Sequence, residues 1–178
     1  MDDNKEQKAI LNLYGLFGAS IILSLVPFAA AAVLSLLFFT ALLFMAYGLR
    51  KRAAPESLQD NHATYVIRTF WITALFSAIT STLASVYMLG RIDYAPFDPC
   101  VESILSSGET AVNSGNSAVV YEAAAPCVDG FLAFNHTVLI NAALIAALPL
   151  MLYLGYRFTK GLGRALKGYR LANPKSWF

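Results

Sequence analysis

The stretch AILNLYGLFGASIILSLVPFAAAAVLSLLFFTALLFMAYGL, residues 9–49, runs for 41 residues without a charged side chain. A helix rises 1.5 Å per residue, so one helix of that length would measure about 60 Å, twice the roughly 30 Å of bilayer hydrocarbon. The stretch therefore reads as two membrane spans folded into a hairpin. Pro27 marks the turn, because proline disrupts a helix interior yet fits a first helical turn. The two spans become residues 9–26 and 28–49. The first is close to the short limit, and a re-entrant hairpin is the other arrangement that fits.

Two further apolar blocks lie downstream, at residues 69–89 and 138–156. Asp60 or Asn61 can cap the helix that enters the third span, since short polar side chains accept from the free N–H groups of a first turn. Pro149 falls inside the fourth and can kink it. Over the whole chain of 178 residues, 57% are hydrophobic and 13% charged, against roughly 25% charged in a soluble domain. The balance excludes an ordinary soluble globule, a disordered chain and a nucleic-acid-binding domain. The N-terminus does not resemble a cleaved leader. Its first eight residues set Asp2, Asp3 and Glu6 against Lys5 and Lys8, and the apolar run is far longer than a signal core.

Charge sets the topology, because Lys and Arg near span ends stay in the cytoplasm. Lys5 and Lys8 precede the first span. Arg50, Lys51, Arg52 and Arg68 lie between the second and third, and six basic residues follow the fourth. Residues 90–137 carry Arg91 alone against Asp93, Asp98, Glu102, Glu109, Glu122 and Asp129. Twelve of the thirteen basic residues thus lie on one side if the spans number four and both termini are cytoplasmic. The expected fold is all-α: an integral membrane bundle of four transmembrane helices, with a disulfide-stapled extracytoplasmic loop at 90–137 and a basic cytoplasmic tail at 157–178.

That loop holds both cysteines, Cys100 and Cys127, on the side that permits disulfides. A bridge between them is the leading reading and two unpaired thiols the other. In the chain-entropy model the closure is worth roughly 3–4 kcal/mol. Two thiols and His136 are too few ligands for a metal, so no metal or cofactor is expected. Asp98-Pro99 reads as a cap and first helical residue, opening a short helix through about Leu105. Asn113-Ser114-Gly115-Asn116 reads as a turn between weak strand signals at 110–112 and 118–121, with Pro126 ahead of the final helix. The expected product is a small stapled cap.

No charged residue falls inside any of the four spans, which argues against a proton relay or an intramembrane carboxylate hydrolase. His62 and His136 sit near span boundaries and read as interfacial polar residues. Neither a nucleophile–base arrangement nor a phosphate loop is legible. Asn135-His136-Thr137 matches a glycosylation sequon but abuts the fourth span. Small residues line the third span: Ser77, Ser81 and Ser85 at four-residue spacing, with Ala74 and Ala78 beside them. Such faces let helix backbones approach closely. The simplest partner is the alanine face of the fourth span, Ala142, Ala143, Ala146 and Ala147, and the sharper alternative is a separate protein.

At the inner boundary Trp71 reads as an interfacial anchor, and Arg68 as a side chain that snorkels or holds a lipid phosphate. In the tail, Lys160, Arg164, Lys167 and Arg170 recur at three- and four-residue spacing, one basic face on a continuing helix. Leu162, Ala165, Leu166 and Tyr169 fall opposite. Such a helix favours anionic lipid, and the terminal Trp177 and Phe178 can enter the interface. Docking of a cytoplasmic partner is the alternative.

Two stretches, HATYVIRTFWITALFS at 62–77 and KGLGRALKGYRLANPKSWF at 160–178, carry a resemblance. Together with the hydrophobic layout around them, they resemble small bacterial inner-membrane proteins of unknown function. Those proteins are grouped by similarity with the 20-kilodalton subunit of the chloroplast inner-envelope import translocon. The resemblance implies a small helical membrane domain, from which the long acidic loop departs. The expected role is a non-enzymatic accessory or scaffold subunit of a bacterial inner-membrane complex, with the lipid bilayer and a membrane protein as partners. A small transporter or channel component is the alternative.

Overall fold

A computed structural model describes residues 3–177, apart from the side chains of residues 3, 4 and 99. It is 83% helix with no strand among the described residues, so the all-helical class holds. The helices are α1 (Asp3–Ser24), α2 (Ala29–Arg52), α3 (Leu58–Leu89), α4 (Val101–Ser114), α5 (Ala118–Phe134) and α6 (His136–Leu166), with a 3-10 segment at Ala95–Cys100. By length and composition α2, α3 and α6 can cross a membrane. α1 falls short of the four spans expected. Its first turns carry Lys5, Glu6 and Lys8, and Asn12, Gly15 and Gly18 dilute the apolar run.

The long apolar stretch does break at Pro27, between the end of α1 and the start of α2. Arg50, Lys51 and Arg52 close the last turn of α2, where cations suit the carbonyl end of the helix dipole. α3 is capped by neither Asp60 nor Asn61. The Ser57 hydroxyl accepts from the Asp60 N–H at 3.1 Å, so Ser57 is the cap and Asp60 is the favourable first-turn acid.

The chain forms two compact units, one of residues 1–78 with 149–178 and one of residues 79–148. In the first, α1 presents Ile10, Leu13, Tyr14 and Phe17, one helical stripe, to Leu42 and Ala46 of α2, Val66 and Ile67 of α3, and Leu154 and Ala165 of α6. Two glycines let α6 come close. The ring of Phe158 lies 3.0 Å from where a Cβ on Gly18 would stand, and a Cβ on Gly161 would overlap the Tyr14 phenol. Ser35 adds a polar tie, donating to the Ser20 carbonyl at 2.9 Å.

In the second unit, α4 and α5 make a helical hairpin where weak strands were expected. The periodicity explains it. Ile104, Ser107, Gly108 and Ala111 form the less exposed face of α4, at helical rather than alternating spacing. Gly115 (φ 65°) ends α4 in the left-handed conformation that glycine takes without steric cost. The helix expected to open at Asp98-Pro99 instead follows the 3-10 segment, which has proline in its own first turn. Pro126 lies inside α5, ahead of the final helix α6. The Cys100–Cys127 disulfide is formed, with Cα atoms 6.0 Å apart, and ties the 3-10 segment to α5. Phe131 packs on Phe97, with ring centroids 4.9 Å apart. Asn135 is buried and pairs both ways with the Asp93 backbone, accepting from its N–H at 2.9 Å and donating to its carbonyl at 2.8 Å. Its amide is therefore committed to holding this loop.

Candidate functional site

The tail folds back on the first turns of α3, and this join is the most polar part of the interior. α6 ends in a Schellman reversal. Gly168 (φ 68°) is left-handed, its N–H reaches the Ala165 carbonyl, and the Tyr169 N–H reaches the Arg164 carbonyl. The turn redirects the chain toward α3, where successive side chains bind the tail backbone. His62 Nε2 lies 3.0 Å from the Tyr169 carbonyl, and its Nδ1 lies 3.0 Å from the Tyr14 hydroxyl. The carbonyl only accepts, so Nε2 carries the proton. In the neutral ring Nδ1 then accepts from Tyr14. One turn's neighbour, Asn61, locks Leu171 from both sides. It donates to the Leu171 carbonyl at 3.0 Å and accepts from its N–H at 2.8 Å.

Arg157 completes the join and is fully buried. Its Nε donates to Thr69 Oγ1 at 2.8 Å, one terminal nitrogen to the Ser176 carbonyl at 3.0 Å and the other to the Tyr65 carbonyl at 3.2 Å. The guanidinium lies 3.6 Å from the centroid of the Tyr65 ring, and the Tyr65 hydroxyl returns a bond to the Arg157 carbonyl. These partners are carbonyls, a hydroxyl and a π face, which spread over all sides of a charge that burial would otherwise leave costly. Gln7 of α1 donates to the Leu166 carbonyl at 3.2 Å. The reading of His62 as an interfacial polar residue is thus replaced by a buried, doubly bonded one. Arg157, counted with the basic tail, is an interior residue.

The residues singled out for lipid contact, Arg68, Trp71, Lys160, Arg164, Lys167, Arg170 and Trp177, are all exposed. They do not form one surface. The helix stops at Leu166 and turns at Gly168, so Arg170 leaves the row of Lys160, Arg164 and Lys167. Those three line one shallow hollow with Tyr169. Arg170 lines another with Arg50 and Lys175. Arg68 and Trp71 meet Arg50 and Lys175 around a third. Trp177 packs against Phe76 at 6.0 Å, with Arg68 5.9 Å from its ring. Phe178 lies outside the described residues.

Of the small-residue stripe, Ala74, Ala78, Ser81 and Ser85 are exposed and Ser77 is half-buried. The buried positions of that part of α3 are Ile72, Thr80 and Ala84, on a different face of the helix. The stripe and the buried face therefore do not coincide. An apolar crevice of about 220 Å³ opens beside Ala74 and Ser77, walled by Phe39 of α2 and Phe70 of α3. The residues whose roles sequence reasoning missed are Asn61, read there only as a possible cap, Tyr65 and Tyr14. Their signal is absent from local pattern, because each bonds a partner 48 to 110 positions away.

The two stretches that carry the resemblance, 62–77 and 160–178, are the segments this join brings together. No protein-family model matches the chain, and neither a curated protein nor a solved structure matches it.

Proposed function

We infer that this chain is a non-enzymatic accessory or scaffold subunit of a bacterial inner-membrane complex. In this reading α1 joins α2, α3 and α6 as a fourth, shorter span. Both termini face the cytoplasm, and the disulfide-closed hairpin faces outward. The charge asymmetry supports that orientation. Arg91 is followed by no Lys or Arg before Arg157, and the acidic hairpin lies between them.

The observation that carries the reading is the surface of the hairpin. On α4, Val101, Leu105 and Val112 form an exposed stripe, with Val112 at 83% exposure. On α5, Tyr121, Val128 and Leu132 form another, with Tyr121 at 79%. Each stripe follows i, i+4 or i+7 spacing, so it is a helix face and not scattered surface. Acids run beside them, Glu102 and Glu109 on α4 and Glu122 and Asp129 on α5. Apolar faces outside the hydrocarbon have no lipid tails to cover them, and such patches mark protein contacts. Asn61, His62 and Arg157 are committed to the tail and Asn135 to a loop, and docking is the role we read for the exterior.

The test is purification of the tagged protein from native membranes in mild detergent, beside a Val112→Asp/Tyr121→Asp variant. A stoichiometric partner that is lost from the variant, while the disulfide stays formed, is the expected result. A homogeneous preparation without partner, together with substrate-dependent flux in liposomes, would assign the chain to small transporters or channels instead.

A further inference from the structure

The end of α2, the second to fourth turns of α3 and Lys175 of the tail line a basic hollow. Its walls are Arg50, Thr64, Ile67, Arg68, Trp71 and Lys175, and its volume is about 320 Å³. Three cations and a hydroxyl face it, and none of the lining residues is acidic. The neighbouring hollow shares Arg50, Thr64 and Lys175 and adds Arg170 together with two acids, Glu56 and Asp60. Asp60 lies at 3.7 Å from Arg50 and offsets that one charge in part. Arg68 and Lys175 have no carboxylate against them among the described ion pairs. The cations come from three separate segments, and the Asn61 and Arg157 bonds fasten the tail residues on either side of Lys175.

The surroundings specify the ligand. Trp71 Nε1 donates to the Tyr47 hydroxyl at 3.1 Å, an aromatic pair joining α2 and α3 beside the hollow. Such pairs sit at headgroup level in membrane proteins. Three cations grouped at that level suit the phosphodiester of an anionic glycerophospholipid.

We propose that the hollow is a binding site for one anionic glycerophospholipid. Its phosphodiester is held by Arg50, Arg68 and Lys175. Arginine forks bind phosphate oxygens in bidentate fashion, and Lys175 adds a point charge. Basic pockets between membrane helices hold anionic headgroups by this chemistry. The site is independent of the accessory role, and a chain that works alone would have it too.

The test uses the full-length Trp177→Phe protein, in which Trp71 is the remaining tryptophan, reconstituted in nanodiscs. Phosphatidylglycerol and phosphatidylcholine with brominated acyl chains are added at equal mole fraction, and quenching of Trp71 is read. The expected result is several-fold stronger quenching by the brominated phosphatidylglycerol, with the difference abolished by Lys175→Gln and by Arg68→Gln. Lys175 is exposed in the tail, so its variant keeps the test valid if Arg68→Gln disturbs folding. Lys160→Gln/Arg164→Gln, in a separate hollow, is expected to leave the difference intact. Equal quenching by the two lipids would overturn the site. So would loss of selectivity in the Lys160/Arg164 variant, which would reveal general surface charge. Relief of quenching by millimolar inorganic phosphate would overturn the lipid as the source of the phosphate.

Discussion

The chain closes two loops on itself by opposite means. The tail is fastened to α3 by side chains that bind backbone groups: Asn61 on Leu171, His62 on Tyr169 and Arg157 on Ser176. The α4–α5 hairpin is fastened by a covalent bond, Cys100–Cys127, with Asn135 as its main buried polar tie. The inner join buries its three main anchors, Asn61, His62 and Arg157. The hairpin has no buried position on α4 and relies on the bridge. A covalent staple can stand in for a small core, whereas a closure built from hydrogen bonds needs each buried acceptor matched.

The largest test of this contrast is Arg157→Leu. It removes the Arg157 bonds to Thr69 Oγ1 and to the Tyr65 and Ser176 carbonyls, and hydrogen bonds from a charged donor are worth about 1.5–3 kcal/mol each. A loss of about 3–5 kcal/mol in detergent-solubilised stability is expected, with protease cutting of the tail well before the bundle unfolds. Arg157→Lys should recover little, since one ammonium cannot reach three acceptors in fork geometry. If the tail stays protected in either variant, the hydrogen-bonded join is not what holds it.

Reduction of Cys100–Cys127, or Cys100→Ser/Cys127→Ser, should cost roughly 3–4 kcal/mol in the hairpin alone. Hydrogen exchange is the suitable readout. Amides of α4 and α5 should lose protection while those of residues 58–66 keep theirs. Loss in both places would show that the two closures are not independent. Gly161→Ala probes the inner join from its packing side. The new Cβ would meet Tyr14, which also holds His62. Overpacking of this kind costs about 1–3 kcal/mol, and the midpoint of thermal unfolding should fall accordingly. The smallest effect is Ser57→Ala, which removes the cap of α3 for about 1 kcal/mol. It should fray the first turn of α3 and loosen Asn61 before anything else, visible as faster exchange at residues 58–61.

Legibility followed the range of the interaction. The break at Pro27 was readable because a charge-free run too long for one span must turn, and proline sits where it can. The bridge was readable because two cysteines share one acidic segment. The hairpin helices were not, because glycine, serine and asparagine at 113–116 suggest a turn without saying what flanks it. The helical spacing of Ile104, Gly108 and Ala111 competes with β-branched residues at 110, 112, 119 and 120. Arg157 looked like the first of the tail's basic residues. Nothing in its own neighbourhood separates a cation that points outward from one that turns in toward Thr69.

The sequence by itself determined the helical class, the apolar blocks, the asymmetry of charge and the bridge, because each is a property of composition or of one segment. The tertiary structure alone decided which polar residues are interior, where the tail lies and which cations meet. Those depend on pairings across 88 to 110 positions. A side chain is placed by the partner it finds, and a buried donor such as Arg157 can be there only when distant carbonyls have been brought to it.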